Sequence, residues 1–137
     1  MRVLFVEDNP VNRKVVRSIL EIADIGLTEA ENAADGLAII ARDDFDLILM
    51  DLRMPGMDGL EAIRVIRAMS GPVARLPIVV VTADASPNLN EICQTAGADG
   101  VVTKPISIDI FFETIAAAMV AGDARAAAVP AGLDRAS

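Results

Sequence analysis

Five short strand-like runs, four of them largely apolar and each followed by a segment with apolar residues at helical spacing, are the feature that most limits what this chain can fold into. The runs are Arg-Val-Leu-Phe-Val at 2–6, Leu-Thr-Glu-Ala at 27–30, Leu-Ile-Leu-Met at 47–50, Ile-Val-Val-Val-Thr at 78–82 and Val-Val-Thr at 101–103. The run at 47–50 is apolar throughout, which reads as a strand buried on both faces. Between the runs stand helix signals. Asn9-Pro10 is an N-cap and first-turn pair ahead of Val15, Val16, Ile19, Leu20 and Ala23, and Ile25-Gly26 ends that helix. Asn32 caps a second helix through Leu37, Ile39, Ile40 and Ala41. Leu60, Ile63, Ile66 and Met69 mark a third, stopped by Ser70-Gly71-Pro72. Ser86-Pro87 predicts the start of a fourth, with Leu89, Ile92, Cys93 and Ala96, and Ser107 opens a fifth, with Ile108, Phe111, Phe112, Ile115 and Met119. Strands that alternate with helices require right-handed crossovers. The expected fold is therefore α/β, a single doubly wound five-stranded parallel sheet with five helices on both faces.

The 137 residues, 53% of them hydrophobic, suffice for one domain with a substantial core. The alternation ends near residue 120. From 121 to 137 the chain is Ala-rich, with Gly122, Pro130, Gly132 and no sustained apolar face, so this stretch is expected to be a flexible tail or linker, helical at most at its start. A net charge of −8 and the lack of a visible basic cluster disfavour direct binding to nucleic acid or to an anionic membrane surface. No run approaches the length of a membrane span, no signal peptide is visible, and the one cysteine, Cys93, falls on the apolar face of a helix. Together these place the domain in the cytoplasm. There is no histidine, which excludes Ser-His-Asp and Cys-His catalysis and His-based zinc sites within the chain. Any chemistry must run on carboxylates, hydroxyls, amines and backbone groups.

Such groups stand at the ends of the strands. The third run delivers Asp51 just before a loop rich in Pro and Gly, the first delivers Glu7-Asp8, the fourth ends on Thr82 and the fifth leads into Lys104. The C-terminal ends of parallel strands share one rim, which is where ligands bind in open α/β sheets. Singly, each residue has a bland reading: a turn acid, a β-branched strand residue, a solvated lysine. Jointly they match phosphoryl transfer to a carboxylate. An Asp can form an aspartyl-phosphate, an acid pair can hold Mg²⁺ by one or two carboxylates, and Lys and Thr can bind the remaining phosphoryl oxygens.

With Val-Glu-Asp-Asn at 6–9, Met-Asp-Leu-Arg-Met-Pro-Gly-Met-Asp-Gly at 50–59, Val-Thr-Ala at 81–83 and Lys104-Pro105, the chain resembles the receiver domain of two-component response regulators over residues 2–120. The Glu-Asp-Asn-Pro-Val-Asn opening is similar to receivers of hybrid histidine kinases. The resemblance implies the flavodoxin-like strand order 2-1-3-4-5. It implies that Asp51 accepts a phosphoryl group from a histidine kinase or a histidine phosphotransfer protein, as a switch rather than as an enzyme. It further implies that Glu7, Asp8, Asp51 and the Arg53 backbone carbonyl bind Mg²⁺, that Thr82 and Ala83 form the switch, that Lys104 contacts the phosphate and that Pro105 follows a cis peptide bond. Two positions depart from the family pattern. Glu7 stands where Asp is commoner, and Val101 stands where an aromatic that turns inward is frequent. Two other readings compete. A pseudo-receiver acting only as a protein-binding module would require lost site residues, and none is lost. An aspartyl-phosphate hydrolase would require an Asp-x-Asp nucleophile, but Arg53 occupies the second position.

Overall fold

The computed structural model describes residues 1–128. Its strands are β1 (Arg2–Val6), β2 (Gly26–Ala30), β3 (Leu47–Met50), β4 (Ile78–Thr82) and β5 (Gly100–Thr103). Its helices are α1 (Pro10–Ile22), α2 (Ala33–Arg42), α3 (Gly59–Arg67), α4 (Leu89–Ala96) and α5 (Ile108–Ala127), with a 3-10 turn at Pro72–Arg75. All strand pairs are parallel and their order is β2-β1-β3-β4-β5. No helix among the described residues is long and apolar enough to cross a membrane.

The period of two along each strand splits the core into two layers. Leu4, Val6, Ile48, Met50, Ile78 and Val80 face one side, where they pack on Ala62, Ile63 and Ile66 of α3, Leu89 and Cys93 of α4, and Ile40 of α2. Val3, Phe5, Leu47, Leu49, Val79 and Val81 face the other, against Val16, Ile19 and Leu20 of α1 and Phe111, Ile115 and Ala118 of α5. β1, β3 and β4 are covered on both faces, which accounts for runs with no polar alternation.

Local capping explains most helix starts. Asn9 Oδ1 accepts from the Val11 and Asn12 N–H groups with Pro10 in the first turn, Asn32 Oδ1 accepts from Asp35 N–H, and Asp58 Oδ1 accepts from Glu61 N–H. Two boundaries differ from the sequence expectation. α4 starts at Leu89, not after Ser86, because the Ser86 side chain and N–H are both taken by Asp84. α5 does not give way to a tail at 121. It continues through Ala127, since Gly122 is buried against Pro77 and the Arg125 guanidinium is bound by Asp99 and by the Leu76 carbonyl, just before β5 and β4. Both anchors are tertiary, so no helical apolar period announces them. The remainder of the expected tail, from residue 129, lies outside the described residues.

Candidate functional site

The rungs of the sheet continue one residue past the strands and fix the rim. Glu7 N–H donates to Ala30 C=O at 3.0 Å, Asp51 N–H to Val6 C=O at 3.0 Å, and Lys104 N–H to Thr82 C=O at 2.8 Å. The site backbone is thus held by the same ladder that holds the core. Behind Asp51, α3 abuts the strand end. Gly59 donates to Leu52 C=O, and a side chain there would overlap the Asp51 carbonyl, so the close approach requires glycine.

Among the described residues, the polar or charged side chains that are buried are Glu7, Asp51 and Thr82, all on this rim. Burial of a carboxylate is costly unless a partner compensates it, so their concentration marks a site rather than a core accident. Glu7 is 0% exposed, and its Oε1 accepts from Lys104 Nζ at 2.7 Å. Lys104 Nζ lies 3.9 Å from Asp51 Oδ1. Lys104 therefore leans on Glu7, whose extra methylene brings an oxygen within direct reach of the ammonium. The peptide bond between Lys104 and Pro105 is cis.

Glu7 Oε2 is buried and receives no hydrogen bond. One oxygen each of Glu7, Asp8 and Asp51 lies within 4.8 Å of the others. Burial pushes the Asp51 carboxyl up to about 7, aided by hydrogen bonding and repulsion from Glu7 and opposed by Lys104 and the Arg53 backbone N–H. Burial also pushes Glu7 upward, but the adjoining Asp51 and Lys104 outweigh it and hold that carboxyl below its ordinary value. A proton kept on Asp51 or a hard cation between the acids would each satisfy the orphaned oxygen, and an all-oxygen acidic donor set fits such a cation.

Thr82 is 1% exposed, and its Oγ1 accepts from Asp84 N–H at 3.2 Å. Ala83 follows in the exposed loop that leads to α4. The Arg53 side chain is 76% exposed and reaches Asp84 Oδ2 at 3.0 Å. Val101, on β5, is half-buried and borders two grooves that it shares with Asn90 of α4. Sequence reasoning missed Asp84 and Arg13. Asp84 lies two residues before Ser86, the spacing at which an Asp side chain binds its own backbone, and that was the available signal. Arg13 donates to the Glu7 carbonyl at 2.8 Å and is held by Glu29 and Glu31, a set of contacts with no local sequence mark.

Residues 3–116 match the model of the response regulator receiver domain family. The chain is a receiver domain. It is 34% identical over 117 residues to the sensory/regulatory protein RpfC of Xanthomonas campestris, covering 85% of this chain and 16% of that protein. To the sensor protein GacS of Pseudomonas syringae it is 40% identical over 108 residues, covering 77% of this chain and 12% of GacS. The receiver thus spans less than a fifth of the length of these curated relatives. Among solved structures it is similar to the receiver domain of a sensor histidine kinase from Pseudomonas aeruginosa, described with a magnesium ion coordinated in its active-site cleft. That similarity has a TM-score of 0.78 at 32% identity and covers 87% of this chain and 97% of that one. The chemotaxis protein CheY4 of Vibrio cholerae gives a TM-score of 0.76 at 28% identity, covering 84% of this chain and 95% of the other.

Proposed function

We propose that this receiver takes a phosphoryl group onto Asp51 from a phosphohistidine, in a Mg²⁺-dependent phosphorelay. The observation that carries the reading is the buried Asp51 carboxyl at the end of β3, with a second buried acid and an ammonium against it. The receivers within sensor kinases to which the chain is similar support a histidine kinase or histidine phosphotransfer protein as donor, a role this histidine-free chain cannot fill for itself.

In the step, an Asp51 oxygen attacks phosphorus, the P–N bond of the donor breaks, and the imidazole leaves with its electron pair and takes a proton. Glu7, Asp8, Asp51 and the Arg53 carbonyl would hold Mg²⁺, which would supply charge neutralisation to the phosphoryl oxygens when bound. Lys104 is tethered to Glu7 and close to Asp51, so a small movement takes its ammonium onto a phosphoryl oxygen. Thr82 would donate its hydroxyl to another, with the Ala83 backbone beside it. The domain then works as a switch that assists its own phosphorylation.

Incubation with acetyl phosphate and Mg²⁺ tests the reading by intact mass. A single base-labile phosphate is expected, absent in Asp51→Asn and absent in the native chain with chelator. A label that persists in Asp51→Asn would overturn the assignment.

A further inference from the structure

Ser86-Pro87 has the residue types of a helix start, yet α4 begins at Leu89, and Asn88 at its N-cap makes no side-chain cap bond. The reason is Asp84. Its Oδ1 accepts both the Ser86 hydroxyl and the Ser86 N–H, the latter at 2.9 Å. Its Oδ2 accepts from Arg53 Nη2 at 3.0 Å, and its own N–H donates to Thr82 Oγ1 at 3.2 Å. One residue therefore ties up the hydroxyl that would cap α4, clips the loop after β3, and occupies the Thr82 hydroxyl. Below this loop lies a groove of about 310 Å³ lined by Ala85, Ser86, Pro87, Asn90, Val101 and Thr103. Val101 is too short to fill it, so the loop has room to settle inward.

We propose that Asp84 is a positioning residue that keeps α4 short, and that its release lets Ser86 cap a helix lengthened through Pro87 and Asn88. Capping needs the Ser86 oxygen turned toward an N–H of the new first turn, whereas here the bonds of its hydroxyl and its own N–H to Asp84 Oδ1 hold the side chain on that carboxylate. The remaining requirements are in place. Proline presets the φ of a first helical residue, and Leu89 N–H already bonds Ser86 C=O at 3.1 Å, so the turn is partly wound. The bonds that the Asp84 carboxylate makes to Ser86 and Arg53 are exposed, so their net worth in water is modest and a change at Thr82 can tip the balance. The link to signalling rests on the phosphoacceptor reading: Thr82 turning toward a phosphoryl group would withdraw the acceptor of Asp84 N–H and loosen the clip.

Backbone NMR on the full chain tests this. In Asp84→Ala, without metal or phosphoryl analogue, the Cα shifts of Pro87 and Asn88 should become helical and exchange of the Leu89 amide should slow about fivefold, the effect of one ordinary cap. Adding Ser86→Ala should reverse both changes. Arg53→Gln should move them in the same direction by less, and it serves as a second variant if Asp84→Ala folds poorly. Unchanged shifts at 87 and 88, or a gain that survives Ser86→Ala, would overturn the proposal. In the native chain, beryllofluoride with Mg²⁺ should bring out the same helical shifts. If it perturbs the resonances around Asp51 but leaves 87 and 88 as they were, the link between Asp84 and phosphorylation is overturned. If it leaves Asp51 untouched, the phosphoacceptor reading falls, while the Asp84→Ala result stands without it.

Discussion

Asp51 and Glu7 share a buried space that suits a cation better than it suits two carboxylates. Burial, then Glu7, raises the Asp51 carboxyl to about 7, so between 3.8 and about 7 the folded protein keeps a proton that the unfolded chain has released. Stability contributed by that proton is full below 3.8 and is lost as pH rises through about 7. Glu7 acts oppositely. Its carboxyl is held below 4.5, so its contribution is present above 4.5 and lost as pH falls further. Between about pH 5 and pH 8 the Asp51 effect sets the slope. The metal-free melting temperature is expected to fall over that range, and Asp51→Asn or added Mg²⁺ should flatten the fall in thermal melts. Lys104→Met should leave Glu7 buried without its ammonium, at a cost of about 3 kcal/mol. Urea denaturation should show a smaller cost with Mg²⁺ present, because a cation replaces the missing charge.

The elements end where tertiary contacts place their ends. The last turns of α5 sit on a polar cradle. Arg125 donates to both Asp99 oxygens and to Arg75 C=O and Leu76 C=O, while Asp99 also accepts from Arg67 and from Ile78 N–H. Arg67 spans α3 to the loop before β4 by donating to Ala74 C=O and Leu76 C=O, and burial together with Arg125 lowers its guanidinium to about 10. Next to this network Gly122 lies against Pro77, where a side-chain carbon would crowd the ring. The folding unit is therefore expected to extend past 120. Truncation after Val120 should lower the melting temperature. Arg125→Ala should cost about 1–3 kcal/mol, since Asp99 retains Arg67. Gly122→Val should cost a similar amount through overpacking, and both are measured by chemical denaturation.

Across the whole molecule, the sheet order sets both the rigid part and the reactive rim. β1, β3 and β4 have neighbours on both sides and helices on both faces, whereas β2 and β5 are edges with partly exposed residues. Amide exchange in the three central strands is expected to require global opening, with β2 and β5 exchanging faster through local opening. Glu7 and Asp51 follow two of those central strands and Thr82 ends the third, so the acids are carried by the most protected part of the chain. Lys104 follows an edge strand, and the loop from Thr82 to α4 is anchored largely by Asp84.

The sequence by itself determined the alternation, the parallel sheet and the rim residues. Continuous apolar runs and helices of period 3.6 are local, and the polar groups at strand ends interrupt them visibly at Glu7, Asp8, Asp51, Thr82 and Lys104. Only the tertiary structure decided that Lys104 leans on Glu7 rather than Asp51, that Ser86 yields its cap to Asp84, and that α5 runs on to Ala127. Each of these is a competition between a local preference and a polar partner. The partner is distant in sequence for Lys104 and Arg125, and for Ser86 it is a carboxylate two residues away that Arg53 holds from another loop. Such partners leave no periodic trace, because one hydrogen bond or ion pair settles the outcome where packing would need a repeating face.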